Sequence, residues 1–183
     1  MFHQELSMKR QVAIDSNAMT YLVDAMTAGC RPSGELAREK IALLRNYLYR
    51  DDILYISATV AAEYKRIKEE RLRHYHQELA DILLGEIVEM DPSEIKSRTA
   101  EYSAFHSRHN DCRILAESEL GGASVLLTYD RDFMKRLRSR TRLIELLSPS
   151  EFWVQLNIPR GARPAKSPSP SNPLAKKLWW VWQ

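Results

Sequence analysis

Short apolar segments alternate with longer amphipathic segments along most of this chain. The apolar segments predict strands, and the stretches between them predict helices because their apolar residues recur three or four positions apart. Strands are expected at QVAID (11–15), ILYIS (53–57), EIVEM (86–90), SVLLT (124–128) and RLIEL (142–146). This alternation predicts an α/β fold with three α/β/α layers and a mainly parallel central sheet of about five strands.

Turn and capping residues set the expected bounds of the helices. Helices are expected at about 17–28, 35–50, 58–73, 75–84, 93–105, 110–120, 130–138 and over SPSEFWVQL (148–156). Ser93 is the expected cap of the helix at 93–105. Gly121 and Gly122 give a strong signal for the end of the helix at 110–120.

The alternation stops near residue 158, where the composition changes. Residues 159–183 are rich in Pro, Ser and Arg, and they carry five basic residues and no acidic residue. Because such a segment has little to bury, we expect one domain over residues 1–158 and a disordered or extended tail at 159–183. The tail ends in three tryptophans beside Lys176 and Lys177. That combination suits a partner surface, nucleic-acid bases, a membrane interface or a frayed end without a role, and the sequence leaves these open.

The chain is 183 residues long with a net charge of +3, which fits one ordinary domain. Because the tail holds much of the positive charge, the body is not broadly basic, and any phosphate contact there needs a local patch. No transmembrane run or apolar signal segment is present, so we expect a cytoplasmic protein without membrane association. Cys30 and Cys112 lack metal-site spacing and are expected to be inert, buried thiols.

Acidic residues recur where the predicted strands end or the helices begin. Asp15 follows the first strand, Glu63 lies in the second turn after ILYIS, Asp111 begins a helix, and Asp130 and Asp132 follow SVLLT. Sites in parallel α/β sheets form at the carboxyl ends of strands, so these acids can meet at one edge. Each acid taken alone also has an ordinary interpretation, which is helix capping, a favourable place in a first helical turn or a solvated surface position.

A cluster of carboxylates is costly without a cation, because like charges raise one another's pKa. Mg²⁺ or Mn²⁺ relieves that cost, since both take oxygen ligands, and two such ions about 3.5–4 Å apart can clamp a phosphodiester during hydrolysis. The sequence contains neither a GxxxxGK[ST] loop nor a GxGxxG turn after a strand. A haloacid-dehalogenase-like phosphatase would need an aspartate where Asn17 stands. The pattern therefore favours a metal-dependent nuclease over nucleotide-dependent enzymes.

Three blocks of the chain resemble the PIN domain family, in the branch of the VapC-type toxins. They are AIDSNAMTYL (13–22), ISATVAAEY (56–64) and HNDCRILAESELGGASVLLTYDRDF (109–133), and the resemblance spans roughly residues 11–158. The third block is the most specific, since it joins an acid, a helix, a Gly-Ala step, a strand and T-x-D-x-D-F. The resemblance implies a PIN-like fold and a Mg²⁺- or Mn²⁺-dependent endoribonuclease, the toxin of a type II toxin–antitoxin pair.

The resemblance also implies a role for each matching residue. Asp15, Glu63, Asp111 and Asp130 would hold the metal and carry catalysis, with Asp132 as an auxiliary metal-binding acid. Asn17 and Thr128 would support these acids through hydrogen bonds. The implied partners are RNA, an antitoxin protein and a second copy of the chain in a homodimer.

Basic residues follow two of the acids. Lys135, Arg136 and Arg138 lie beside the predicted site, where they either grip phosphates around the scissile bond or form a solvated helix face. The run YKRIKEERLRHYH (64–76) fits a solvated helix better, and His74 and His76 are expected on the surface. Two alternatives to the toxin remain open. One is a PIN-like nuclease in RNA processing or acting on DNA, and the other is a non-catalytic RNA- or protein-binding module on the same fold.

Overall fold

A computed structural model describes residues 10–51, 54–83 and 90–183 of the chain. The described residues form an α/β fold with one parallel four-stranded sheet and eight α-helices, compatible with three α/β/α layers. The strands are β1 (Val12–Ile14), β2 (Leu54–Tyr55), β3 (Val125–Leu127) and β4 (Glu145–Leu147). The helices are α1 (Ser16–Ala28), α2 (Ala37–Tyr49), α3 (Ala58–Tyr64), α4 (Glu70–Leu83), α5 (Pro92–Ser103), α6 (His109–Leu120), α7 (Arg131–Leu137) and α8 (Pro149–Gln155), followed by a 3₁₀ turn at Pro173–Lys176.

The sheet has the strand order β2-β1-β3-β4, and all of its pairs are parallel. The residues of β1 and β3 are buried throughout, as expected for central strands of a parallel sheet covered on both faces. Along the chain, β2 is added on one side of β1, and β3 and β4 are added on the other side. The direction in which strands are added therefore reverses between β1 and β3. Ile14 pairs with Leu127 there, which places Asp15 and Thr128 side by side at the carboxyl edge.

The sheet differs from the expected one in strand number and in one boundary. Four strands are present in the described residues rather than about five. The segment EIVEM (86–90) lies, apart from Met90, outside the described residues. The last strand begins at Glu145, later than expected, because pairing with β3 starts at this residue, and of the strand's residues Leu146 and Leu147 are buried, whereas Leu143 before it is exposed.

The boundary between the two helices expected at 58–73 and 75–84 lies earlier, at residues 65–69. The chain leaves α3 through a tight turn in which Arg66 N donates to Glu63 O and Ile67 N donates to Tyr64 O, both at 3.0 Å. Such i→i+3 bonds close the last turn of a helix, and the charged sequence here contains no Gly or Pro that would announce the break. The cap of α5 is Asp91 rather than Ser93, since Asp91 Oδ1 accepts from Ser93 N at 2.8 Å.

Two expectations about side-chain exposure, for His76 and Cys30, are also wrong. His76 is buried in the core, where its ring nitrogens lie 2.8 Å from Leu72 O and 3.2 Å from Thr20 Oγ1. Its position follows from the direction of α4, which turns this side chain toward α1. Cys112 is buried as expected, whereas Cys30 is exposed because it lies just beyond the end of α1.

The segment at 159–183, expected to be disordered or extended, packs against α1, α2 and α8. Trp180 is buried, and its carbonyl accepts from Arg45 Nε at 2.9 Å. Lys166 N donates to Leu48 O at 2.8 Å, so the Pro-rich part is attached to the body as well. The physical reason is that the apolar residues of this segment are concentrated at its end, where they can fill a face left open by the helices. We call residues 159–183 the C-terminal strap.

Gly29 shows how closely the strap approaches the body. This residue ends α1 in the left-handed conformation, with a φ of 62°. A Cβ atom added here would lie 2.5 Å from Pro173 Cβ of the strap. Glycine therefore serves both the helix end and the contact. None of the helices in the described ranges is long and apolar enough to cross a membrane.

Candidate acidic active site

Asp15 lies at the carboxyl end of β1, where it caps α1 and is buried. Its Oδ1 accepts from Ala18 N at 2.6 Å, and its Oδ2 accepts from Thr128 Oγ1 at 2.5 Å. Thr128 Oγ1 also accepts from Asp130 N at 3.0 Å, so one buried hydroxyl connects the ends of β1 and β3. Burial raises the pKa of Asp15 from 3.8 to about 6 in spite of these hydrogen bonds, and the negative charges of Asp111 and Asp130 raise it too.

Asp130 and Asp111 share one arginine. Asp130 caps α7, because its Oδ1 accepts from Phe133 N at 2.9 Å. Its Oδ2 accepts from Arg108 Nη1 at 2.7 Å, and the same nitrogen lies 3.9 Å from Asp111 Oδ2. The guanidinium therefore partly neutralises a pair of carboxylates that would otherwise repel each other. The Arg108 side chain is 67% exposed, so it holds this place from the solvent side.

Asp111 is oriented by a buried histidine. His106 Nε2 lies 2.9 Å from Asp111 Oδ2, and the imidazole packs against the ring of Phe133 at 5.4 Å between centroids. The other ring nitrogen, Nδ1, is buried without a hydrogen-bond partner among the described residues. A histidine held in this way fixes the direction of the carboxylate that it contacts.

Glu63 joins the same network from α3. Its Oε1 accepts from Asn110 Nδ2 at 2.6 Å, and its Oε2 accepts from Ser16 Oγ. Asn110 and Ser16 are the sequence neighbours of Asp111 and Asp15. Glu63 is therefore connected to Asp15 and Asp111 through the residues next to them in the chain. Asp15 and Asp130 are joined through Thr128, and Asp130 and Asp111 through Arg108. We call Asp15, Glu63, Asp111 and Asp130 with these connecting residues the acidic network.

Two other predicted residues lie outside this network. Asp132 is exposed on α7 and pairs with Arg136, whose Nε lies 2.8 Å from Asp132 Oδ2. Asn17 is exposed at the start of α1, and its side chain makes no hydrogen bond within the described part of the chain. The neighbouring Ser16 makes the contact to an acid that was expected of Asn17. Thr128, in contrast, occupies the predicted supporting position.

The three predicted phosphate-binding residues differ in whether their side chains are already bonded to other residues. Arg136 is paired with Asp132, as described above. Arg138 donates from Nε to Leu146 O at 2.8 Å and from both terminal nitrogens to Glu151, so it fixes the end of α7 to β4 and α8. Lys135 is exposed and lines a cavity of about 680 Å³ that Tyr129 and Arg131 also border. Lys135 is therefore the best placed of the three to meet a ligand.

Sequence reasoning missed the polar residues that hold the acids in place, which are Ser16, His106, Arg108 and Asn110. Two signals were available for Arg108 and Asn110. Arg108 stands three residues before Asp111, and this spacing puts two side chains on one face of a helical turn. Asn110 directly precedes Asp111. Nothing in the sequence distinguished His106 from the nearby His109.

Tyr129 places a further polar group beside the acids. Its ring packs edge-on against Tyr21 at 4.8 Å, and its hydroxyl is buried without a hydrogen-bond partner among the described residues. Burial raises the pKa of Tyr129, with the charge of Asp15 acting in the same direction. The hydroxyl therefore stays protonated and is able to donate a hydrogen bond.

The site has the donor atoms that a divalent cation needs, but they are not arranged around one position. Its carboxylate oxygens are the donors that Mg²⁺ and Mn²⁺ take. Within the ranges that the structure describes, however, no group of three or more His, Cys, Asp or Glu side chains is arranged to hold a metal ion. The reason is visible at Glu63 and Asp130, whose oxygens are already bonded to Asn110, Ser16 and Arg108. A cation would have to replace those donors.

Comparison of the chain with protein-family models, curated proteins and solved structures finds no match. Any functional assignment therefore depends on the geometry of the site and on the sequence resemblance described above.

Proposed function

We propose that this chain is a PIN-like, divalent-metal-dependent endoribonuclease whose active site is the acidic network. One observation supports this above the others. Asp15, Asp111 and Asp130 come from separate parts of the sequence to the reversal point of a parallel sheet, where sites of such folds form, although their charges repel. A protein has no structural need to gather carboxylates around a buried aspartate, and a cation gives the arrangement a purpose.

The residues of the chain would divide the work as follows. Asp15, Glu63, Asp111 and Asp130 would hold the cation, which supplies a Lewis acid for phosphodiester hydrolysis. Thr128 fixes the direction of the Asp15 carboxylate, and His106 fixes that of Asp111. Lys135 and Arg108 are the nearby cations that could meet a phosphate.

The biological setting that we propose is a type II toxin–antitoxin pair, in which a small antitoxin protein neutralises this chain. The support for it is the resemblance of three sequence blocks to VapC-type toxins. A homodimer is part of the same proposal. A role in RNA processing, or action on DNA, is compatible with the same chemistry at the acidic network.

The test is cleavage of a mixed RNA pool by the full-length protein with Mn²⁺, with EDTA, and with the variant Asp15→Asn. We expect cleavage that needs the metal and falls about a hundredfold or more in the variant. Asp24→Asn is the matched control, because Asp24 is exposed on α1 and should keep full activity. Cleavage that survives both EDTA and Asp15→Asn would contradict the proposal. A parallel series with single-stranded DNA distinguishes a ribonuclease from a DNA-cutting relative.

A second candidate is a non-catalytic RNA- or protein-binding module, and one observation favours it. Arg108 already bridges two of the acids, and an internal countercharge can make a cation unnecessary. Metal binding separates the two candidates without an activity assay. Mn²⁺ should raise the melting temperature of the nuclease, with a response that Asp15→Asn weakens, whereas it should leave the melting temperature of the binding module unchanged.

A further inference from the structure

A second cavity, of about 490 Å³, lies between α2, α8 and the C-terminal strap. Its volume falls in the range of roughly 300–1,000 Å³ that is usual for ligand sites. It combines aromatic and cationic side chains, namely Trp153, Trp179, Trp182, Arg31, Arg38 and Arg45. The described lining includes no acidic residue. The strap therefore completes a positively charged aromatic pocket.

Arg45 is the most enclosed cation of this pocket. Its Nε donates to Trp180 O at 2.9 Å and its Nη2 donates to Val181 O at 3.2 Å, while its guanidinium lies 4.7 Å from the centre of the Trp182 ring. These contacts fix the group in place through neutral partners. No carboxylate pairs with Arg45 in the described ranges, so its positive charge is left for a ligand.

Arg31 and Arg38 stand at the exposed rim of the same pocket. Neither makes an ion pair or a side-chain hydrogen bond within the described parts of the chain. Arg31 is close enough to Arg45 for its charge, together with burial, to lower the pKa of Arg45. Like charges brought together without an acid create a local positive potential that favours an anion.

Trp179 offers an aromatic surface beside these cations. Its indole Nε1 donates to Gly29 O at 3.3 Å, which holds one edge of the ring against α1. No other ring or cation packs on Trp179 among the described residues. Trp182, in contrast, is already engaged by Trp153 at 5.7 Å and by Arg160 at 5.0 Å. Trp179 packs against the hydrophobic core and stays partly exposed. It is therefore the tryptophan of this pocket on which a flat ligand could stack from the solvent side.

We propose that this pocket binds a nucleotide unit of single-stranded RNA, with the base stacked on Trp179 and the phosphate held by Arg31 and Arg38. Base stacking on an aromatic ring combined with arginine contacts to phosphate is how proteins bind single strands. A free nucleotide carries the same chemistry and would enter the same pocket. The site does not depend on the acidic network, so it stands whether or not the chain cleaves RNA.

The position of the pocket suits a single strand. Ser150 lines both this pocket and the cavity of about 680 Å³ that Tyr129 and Lys135 border. Tyr129 is the residue between Thr128 and Asp130 of the acidic network. The two cavities therefore adjoin at Ser150, so a strand that leaves the pocket on this side would pass near Tyr129 and the acids.

The test is a titration of the full-length protein with a short single-stranded oligoadenylate in EDTA, followed by intrinsic tryptophan fluorescence. All four tryptophans of the chain lie in or beside this pocket, so stacking should quench the signal. EDTA prevents metal-dependent cleavage, so loss of binding here and loss of cleavage at the acidic network are separate results. Adenosine 5′-monophosphate should bind more weakly than the oligomer, and adenosine, which lacks the phosphate, more weakly still.

Paired variants locate the binding. Arg31→Ala with Arg38→Ala should weaken oligoadenylate binding by about tenfold or more, because two phosphate contacts are lost. Arg66→Ala with Lys68→Ala removes the same charge from exposed residues outside the pocket and should change the affinity by less than about threefold. Trp179→Ala should weaken binding by about tenfold, and Trp179→Phe should retain most of it. Because both variants lack the reporting tryptophan, their affinity is measured by the anisotropy of a fluorescein-labelled oligoadenylate. A circular dichroism melt confirms that each variant is folded.

Three outcomes would overturn the proposal. The first is no quenching by oligoadenylate or by adenosine 5′-monophosphate. The second is equal affinity of the wild type and the double arginine variant. The third is binding of poly-glutamate as tight as that of the RNA, which would assign the pocket to an acidic protein partner.

Discussion

Asp15 and Glu117 are two buried carboxylates with similar surroundings. Each accepts a hydrogen bond from a buried threonine hydroxyl, which for Asp15 is Thr128 at 2.5 Å and for Glu117 is Thr59 at 2.9 Å. Each also accepts a backbone N–H in the first turn of a helix, from Ala18 in α1 and from Thr59 in α3. Both therefore satisfy the start of a helix from inside the protein.

The charges around them are opposite. Glu117 Oε1 also accepts from Arg113 Nε at 2.9 Å, so its negative charge is compensated. Asp15 lies near two further acids, Asp111 and Asp130, which raise its pKa. Burial and hydrogen bonding are thus common to a structural and a candidate functional carboxylate. The repulsion between Asp15 and its neighbouring acids distinguishes it from Glu117. Selection for stability alone would not favour such repulsion, so Asp15 is the candidate for a function.

Among the substitutions that test this comparison, Glu117→Ala is expected to change the free energy of unfolding most. The substitution leaves the buried N–H and hydroxyl of Thr59 without an acceptor, and it should lower the free energy of unfolding by about 3 kcal/mol. Urea denaturation measures the change. The exposed Glu78→Ala is the control and should stay within about 0.5 kcal/mol of the wild type. Similar losses in both variants would show that the Glu117 contacts do not stabilise the fold.

Asp15→Asn should raise the free energy of unfolding at neutral pH, whereas Glu117→Ala lowers it. Because the folded state raises the pKa of Asp15 from 3.8 to about 6, the folded protein holds a proton that the unfolded chain releases between these values. The stability that Asp15 contributes is thus full below pH 3.8 and falls as the pH rises through about 6. The shift corresponds to at most about 3 kcal/mol. An asparagine keeps the cap without the charge, so in EDTA at neutral pH we expect it to be more stable by about 2 kcal/mol.

The measurement for Asp15→Asn is urea denaturation across pH 4–8. The advantage of the variant should shrink as the pH falls through about 6 and be mostly lost near pH 4, where the folded protein holds Asp15 protonated. Asp24→Asn, on the exposed face of α1, should follow the wild type at every pH. A constant difference between Asp15→Asn and the wild type across the range would show that the charge of Asp15 is not the cause.

The acids were predictable from the sequence to the extent that local patterns place them. β1 and β3 are continuous apolar runs, and the residues just after each strand lie at the carboxyl edge. Asp15 directly after β1 and Asp130 three residues after β3 were therefore predictable. Glu63 and Asp111 were located through helix periodicity and the resemblance. Asp132 shows the limit of this reasoning, because it lies two positions after Asp130, where the helix turns its side chain toward solvent and it pairs with Arg136.

The contacts among distant residues were not predictable in the same way. The bond from Asn110 to Glu63 depends on how α3 packs against α6, and no local pattern specifies that packing. The C-terminal strap fails as a sequence prediction for a related reason. Its Pro- and Ser-rich composition is typical of disorder, whereas Leu174 and Trp180 are buried because a matching face exists on α1 and α2. Composition describes a segment alone, and its order here comes from that surface.

The smallest effect on stability is expected from Arg108→Ala, and it tests whether the repulsion at the acids serves a cation. Arg108 is 67% exposed, so removal of its contacts to Asp130 and Asp111 should cost less than about 1 kcal/mol. The freed carboxylates should then bind Mn²⁺ more tightly than in the wild type. Thermal melts with and without Mn²⁺ should show a larger stabilisation in Arg108→Ala, whereas the exposed Arg66→Ala should respond as the wild type does. If Mn²⁺ shifts all three proteins equally, Arg108 does not occupy the place of a cation. If Mn²⁺ shifts none of them, the acids would resemble Glu117 in serving structure alone.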